Sequence, residues 1–204
     1  MLNVMIDLET SASRPSAGIF SIGAVAFDPL VVSGPNEFRA TLQLPHLQGN
    51  TFYAIVDLKT QRESFDIDPS TFYWWLRQSS QAQEEICKDG ISIRRALIEF
   101  AAWYNSLVPP TIPSIQIPTY AYGATFDHVV LQHAYDTLKL RNPIYYRNQL
   151  CMRTIVQLSE VKCPQLDGLV GHNALDDAIR QAIWIQECFK ILRTGEKNGN
   201  SGTA

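Results

Sequence analysis

The chain has 204 residues and a formal net charge of -3, a length that fits one domain and a balance that argues against a protein holding duplex DNA through a broad basic footprint. Hydrophobic residues make up 46% and charged residues 18%, ordinary for a soluble globular protein, and no uninterrupted apolar run is long enough to span a bilayer. No basic segment leading into an apolar stretch opens the chain, and Cys87, Cys151, Cys163 and Cys188 are scattered without a C-x-x-C pair, which points to a cytoplasmic protein with reduced thiols and away from a secreted or zinc-finger one.

Residues 4–10, VMIDLET, read as the first strand. Side chains two apart on a strand share a face, so Asp7 and Glu9 converge while Ile6 and Leu8 point oppositely into a core. Two carboxylates held that close resist ionising together unless a cation lies between them, and carboxylate oxygens are the ligands that hard divalent ions prefer. An isolated D-x-E is more often the solvated acidic face of an amphipathic edge strand, so the rest of the chain has to decide. After Ser, Pro and Gly loop signals, residues 19–27 (IFSIGAVAF) read as a buried strand ended by Asp28-Pro29. Residues 37–44 alternate apolar and polar side chains and predict a third, half-buried strand, which with the first two suggests an antiparallel meander. Residues 45–68 lack clear periodicity, although FYAIVDL is compatible with a short strand.

Asp68-Pro69-Ser70 is a helix-start signal, and the helix that follows carries Trp74 and Trp75. Adjacent helical residues cannot share one face, so one tryptophan is expected in the core and the other near a site, where an indole face could stack a nucleobase. Core packing is the commoner role for either ring alone. Residues 93–107 have apolar residues at helical spacing (Leu97, Phe100, Ala101, Tyr104), and a Pro-rich loop then leads into residues 119–123, TYAYG, read as a fourth strand. Thr125 is placed to cap the next helix, which puts Asp127 in its first turn, where interaction with the helix dipole is explanation enough for a lone Asp. Residues 150–153 read as a short fifth strand followed by a helix to about residue 159, then a loop over 160–171. A last helix runs from residue 174 to about 192 with Leu175, Ile179, Ala182, Ile183 and Phe189 on its core stripe, and the Gly/Asn/Ser tail of residues 194–204 is expected to be disordered beyond a domain of residues 1–193.

Within GHNALDDAIRQA, His172 and Asp177 lie five residues apart, about 140° around a continuous helix, too far to share a site. If Asn173 is the N-cap, His172 sits on the preceding loop and can fold back toward Asp177. Asp176 then occupies the third helical position, an acidic capping position, which leaves Asp177 as the better ligand candidate.

D-x-E on the first strand, IFSIGAV, GATFD and H-N-A-L-D-D together resemble the three exonuclease motifs of the DEDDh family within the ribonuclease H-like superfamily, over most of the chain. Each motif alone is weak, but three in order make a joint signal. With FYWWLRQS after the first strands, the chain looks similar to the exonucleases of phage and prophage genomes. One departure is at the second motif, where many members of the family carry Asn a few residues before the Asp and this chain has Gly123, Ala124, Thr125 and Phe126; it bears on substrate contacts, not on the metal ligand.

The resemblance implies a single α/β domain of ribonuclease H-like fold, a mixed five-stranded sheet flanked by helices. It further implies that Asp7, Glu9, Asp127 and Asp177 hold two divalent cations, Mg²⁺ or Mn²⁺, with His172 as general base. A phosphodiester is anionic and repels hydroxide, so two cations flanking it would favour its hydrolysis, and an imidazole with an ordinary pKa of about 6.5 can take a proton at neutral pH. His128, beside Asp127, is the rival base, while His46 and His133 lack acidic neighbours. The expected function is 3'-5' exonuclease on single-stranded DNA or RNA with a free 3' end, releasing nucleoside 5'-monophosphates, with Leu8, Thr10, Trp74, Trp75 and Phe126 as candidate substrate contacts. No membrane partner is expected, and a homodimer is admitted by the family but by no feature of the sequence. The alternative is a non-catalytic nucleic-acid or protein-interaction module on the same fold, against which the intact set of five site residues stands.

Overall fold

The structure, a computed structural model, describes residues 2–39, 49–61, 63–111, 113 and 116–195. Five strands form one mixed sheet: β1 (Asn3–Thr10), β2 (Ile19–Phe27), β3 (Thr51–Ile55), β4 (Thr119–Ala121) and β5 (Gln149–Cys151). Their order is β3-β2-β1-β4-β5, with the β1/β2 and β2/β3 pairs antiparallel and the β1/β4 and β4/β5 pairs parallel. β1 is therefore central, and the alternation of its side chains separates two cores. Val4, Ile6 and Leu8 pack on one face with α4 (Ile93–Ser106) and α5 (Asp127–Thr137). Met5 faces the other side, toward α6 (Met152–Ser159) and α7 (Ala174–Thr194). Asp7 and Glu9, in phase with Met5, emerge where that second face opens near the end of the strand.

The helices expected from the periodicity are present. Asp68 caps α2 (Pro69–Trp75), accepting from the Ser70 amide with Pro69 in the first turn. In α4, Leu97, Phe100 and Tyr104 are buried, and Ile179, Ala182 and Ile183 of α7 are buried against β1 and β2. The cysteines are free thiols, and among the described residues no helix is long and apolar enough to cross a membrane.

Two local expectations are corrected, and one helix joins those expected. The third strand of the sheet is Thr51–Ile55, within the weakly periodic stretch; of residues 37–44, those described belong to a short helix, α1 (Pro35–Arg39), and residues 40–44 lie outside the described residues. Proline fixes the backbone dihedral that a first helical turn needs, which is the local preference that wins at Pro35. The residue at the cap of α5 is Phe126 and not Thr125; the turn closes through the backbone, with the Phe126 and Asp127 amides donating to the Gly123 carbonyl at 2.7 and 3.2 Å. A helix without an apolar run, α3 (Ser80–Cys87), is capped by Ser79 and buries only Ala82. The expected disordered tail lies outside the described residues from 196 onward.

Gly23 of β2 fixes how close α7 comes to the sheet. It pairs with Asp7 across β1/β2, and a Cβ built on it would stand 2.1 Å from the Ala174 carbonyl carbon and 2.3 Å from the Leu175 nitrogen. Only glycine lets the first turn of α7 rest on the strand beside Asp7. Gly23→Ala is expected to displace that turn and to destabilise the fold by about 3 kcal/mol or more, the upper range for overpacking against backbone that cannot yield. Chemical denaturation of the variant measures it, and a change below about 1 kcal/mol would show that α7 can move away at little cost.

Candidate active site

α7 begins at a pinned position. The Asn173 side-chain oxygen accepts from the Leu175 and Asp176 amides, both at 3.1 Å, and its Nδ2 donates to the Tyr53 hydroxyl at 3.1 Å, which in turn donates to Glu85 at 2.5 Å. The two aspartates that follow have different partners. Asp176 is buried and accepts from the Val170 amide at 2.9 Å, which ties down the loop before the helix. Asp177 accepts from the His172 amide at 2.8 Å and is paired with Arg180. That first bond is made with His172 in the left-handed region, φ 62°, a conformation uncommon for residues other than glycine; it turns the chain back so that the His172 ring meets the start of α7.

Asp7, Glu9, Asp127, Asp177 and His172 all line one cleft of about 470 Å³, together with Leu8, Trp74, Tyr122, Gly123, Phe126, Arg153 and Gln181. Ligand atoms of Glu9, His172 and Asp177 lie within 4.8 Å of one another. Asp127, at the start of α5, accepts from the Leu8 amide at 3.2 Å, which locks the first turn of that helix to β1. Asp7 accepts from Gln181 Nε2 at 2.7 Å.

Burial pushes all four carboxyls upward in pKa, Glu9 to about 8 and Asp127 to about 7, with Asp7 well above and Asp177 above the ordinary carboxylate range. Repulsion adds to burial at Asp7 from Asp127, Glu9 and Asp177, and at Glu9 from Asp177 and Asp127. Arg180 opposes the rise at Asp177, as backbone donors do at Asp127. Four crowded carboxylates with too few protein cations fit the donor set that hard divalent ions prefer.

In the unfolded chain these groups ionise near pH 4, whereas in the fold Glu9 does so at about 8 and Asp127 at about 7, so the folded state binds more protons in between. Their contribution is therefore fully present below about pH 4 and is lost as pH rises through about 8. Without metal, the melting temperature is expected to fall from pH 5 to pH 8 more steeply in the wild type than in Glu9→Gln, and Mg²⁺ to raise it more at pH 8 than at pH 5. Differential scanning fluorimetry reads both slopes; equal Mg²⁺ shifts at the two pH values would refute the crowding argument.

The adjacent tryptophans have separate places but a common neighbour. Trp75 is buried and donates from Nε1 to the Thr10 carbonyl at 3.1 Å, while Trp74 is 44% exposed and lines the cleft. Both rings meet His172 edge-on, at 4.9 Å from Trp74 and 5.8 Å from Trp75. Of the candidate substrate contacts, the structure brings Leu8, Trp74 and Phe126 to the cleft; Thr10 and Trp75 lie behind it, the Thr10 hydroxyl donating to the Ala12 carbonyl at 2.9 Å. His128 is buried, its pKa pushed down to about 4 by burial, and its Nε2 donates to the Thr119 carbonyl at 3.1 Å, away from the cleft.

Sequence reasoning did not find Gln181, Arg180, Arg153 or Tyr122. Gln181 lies one helical turn beyond Asp177, so the i, i+4 relation could have found it. Arg153 carries no such local signal, because it reaches the cleft from α6.

A mixed sheet in this order, with three acidic segments meeting at one end of its central strand, is the ribonuclease H-like fold. The chain belongs to the family described as the 3'-5' exoribonuclease Rv2179c-like domain, whose sequence model matches residues 2–189. It is 24% identical over 214 residues to the exodeoxyribonuclease of Enterobacteria phage T4, a match covering 93% of this chain and 90% of that one. Among solved structures it is similar to the nuclease domain of 3'hExo, a DEDDh family member bound to rAMP, with a TM-score of 0.55 at 12% identity over 95% of this chain and 92% of that one. It is also similar to the zinc-ion-bound E. coli ExoI–ssDNA complex, with a TM-score of 0.55 at 12% identity, where 95% of this chain corresponds to 43% of the other. The family match places the chain in an exonuclease family, and the structural likenesses place its fold among theirs.

Proposed function

We propose that the protein is a divalent-metal-dependent 3'-5' exonuclease that removes nucleoside 5'-monophosphates from single-stranded nucleic acid. The observation that carries this reading is the meeting of Asp7, Glu9, Asp127 and Asp177 in one cleft with His172, each carboxyl held above its ordinary pKa by burial. These four side chains would hold two cations, which when bound would neutralise the carboxylates, activate the attacking water and stabilise the leaving oxygen. A ring nitrogen of His172 takes the water's proton, since that ring stands within reach of the Glu9 and Asp177 oxygens and is braced by Trp74 and Trp75. The apolar wall of Leu8, Phe126 and Trp74 receives the terminal nucleoside, and an unpaired end reaches the cleft without the cost of unstacking a duplex. All of these residues come from one chain, so the reading requires no second copy.

The relatives point both ways on the sugar, the family by its description to RNA and the phage protein by its name to DNA. Matched single-stranded DNA and RNA oligonucleotides, labelled at either end, test the whole reading. Loss of mononucleotides from the 3' end with Mg²⁺ or Mn²⁺, stopped by EDTA, supports it. Degradation from the 5' end, a preference for blunt duplex, or inactivity on both polymers overturns it, the last in favour of a non-catalytic module.

A further inference from the structure

The cleft that gathers four carboxylates is also lined by one arginine, Arg153. Among the described residues its guanidinium enters no ion pair and donates no hydrogen bond to the protein, whereas Arg180, the other arginine near the carboxylates, is bound to Asp177. Its position is nevertheless fixed. The Arg153 Cζ lies 4.9 Å from the centroid of the Tyr122 ring, and Tyr122 is stacked on Trp184 at 5.6 Å and 24°. Trp184 is anchored in turn by its Nε1, which donates to the Val161 carbonyl at 2.9 Å. On the side of the turn that opens α5, a Cβ built on Gly123 would stand 3.4 Å from Arg153 Nη2 and 3.6 Å from Cζ, so the group lies against bare backbone.

A cation held over an aromatic face keeps its N–H donors, which point outward in the guanidinium plane and remain unspent. A planar fork of free donors matches two non-bridging oxygens of a phosphate. Arg153 forms no ion pair with any of the four carboxylates among the described residues, although its charge acts on Asp127, so it lies at the edge of their cluster. A phosphodiester being cut sits at the cluster, and the neighbouring phosphodiester of the same strand has to pass close by. We propose that Arg153 grips the non-bridging oxygens of the phosphodiester next to the scissile one, so that the cleft selects strands whose penultimate linkage carries a charge. This inference rests on the exonuclease reading above and adds a substrate-binding residue to it.

The test uses a 5'-fluorescein single-stranded 12-mer, as DNA and in parallel as RNA, and the same oligomers with one uncharged methylphosphonate at the penultimate linkage. Affinity is read by fluorescence anisotropy in Ca²⁺ and turnover in Mg²⁺. Arg153→Met keeps the length and the apolar contact with Tyr122 while removing the charge. It is expected to raise Kd and KM roughly 10- to 100-fold, as loss of a charge-assisted contact does, with kcat changed by less than about threefold. The slope of log Kd against log salt should flatten by about 0.7, the value for one phosphate contact on a single strand. The methylphosphonate should weaken wild-type binding by a similar factor and leave Arg153→Met almost unaffected.

An unchanged Kd in Arg153→Met, or the same methylphosphonate penalty in both proteins, overturns the inference. A structural role for Arg153 would produce that second pattern together with a lower melting temperature. A wild type that binds the 12-mer but never cleaves it sinks the exonuclease reading, whereas one that cleaves it without regard to the penultimate charge sinks only this inference.

Discussion

Asp7→Asn and Glu9→Gln are each expected to lower kcat on the order of 10³-fold or more, because losing a proposed metal ligand would remove several kcal/mol of charge stabilisation from the transition state. The same variants should melt no lower than the wild type without metal. In that state each carboxyl is buried among like charges that lift its pKa, and a neutral amide of the same shape relieves the repulsion. Asp177→Asn should lose as much rate, but it gains no stability, since Arg180 is then left without its partner. Asp127→Asn should keep the bond from the Leu8 amide through its remaining oxygen and lose rate alone. The neighbour serves as control: Asp176→Asn retains an acceptor for the Val170 amide and should stay within about tenfold of wild-type activity. Hydrolysis of 3'-labelled oligonucleotide, read beside scanning fluorimetry, separates these outcomes. A dead Asp176→Asn with an active Asp177→Asn would reverse the division of labour that the cap assigns to the two residues.

The local geometry behind that expectation was readable in the sequence because it follows from local rules. Strand alternation puts Asp7 and Glu9 on one face, and an Asn cap orders the next four residues of α7. The contacts seen, Asn173 to Leu175 and Asp176, and His172 to Asp177, lie within five residues of one another. What could not be read was set by distant parts of the chain. Among the described residues β3 is an edge strand paired with β2 alone and half-buried, so its apolar alternation is weak, whereas residues 37–44 alternate and yet begin in a short helix behind Pro35. α3 buries little and so leaves no stripe to find. Gly23 was visible as part of IFSIGAV, but its purpose is the approach of Ala174 from the far end of the chain. Tyr122 directly follows β4 and Arg153 lies in the first turn of α6 just past β5, and nothing in the spacing of about thirty residues announces that one ring lies under the other's guanidinium.

His172→Asn is expected to lower kcat roughly 10²- to 10⁴-fold, the range for a lost general base, while the stabilisation of the protein by Mg²⁺ stays close to that of the wild type. Asparagine is the informative replacement. His172 adopts φ 62°, which Asn tolerates and Ala does not, so an alanine variant would mix loss of the imidazole with strain at the residue whose amide holds Asp177. His172→Gly should keep the backbone and lose the ring contacts with Trp74 and Trp75, and it should match His172→Asn if proton removal dominates. Because hydroxide can replace a missing base, the ratio of wild-type to variant rate should narrow as the pH is raised, with KM little changed. His128→Asn provides the contrast. That ring is buried, neutral at physiological pH with its pKa at about 4, and spent on the Thr119 carbonyl, so its loss should lower the melting temperature and spare the kcat of the folded fraction. Single-turnover hydrolysis across pH, with melting followed in parallel, decides between them. A full rate loss in His128→Asn with a near wild-type His172→Asn would take the base away from the loop before α7 and return it to α5.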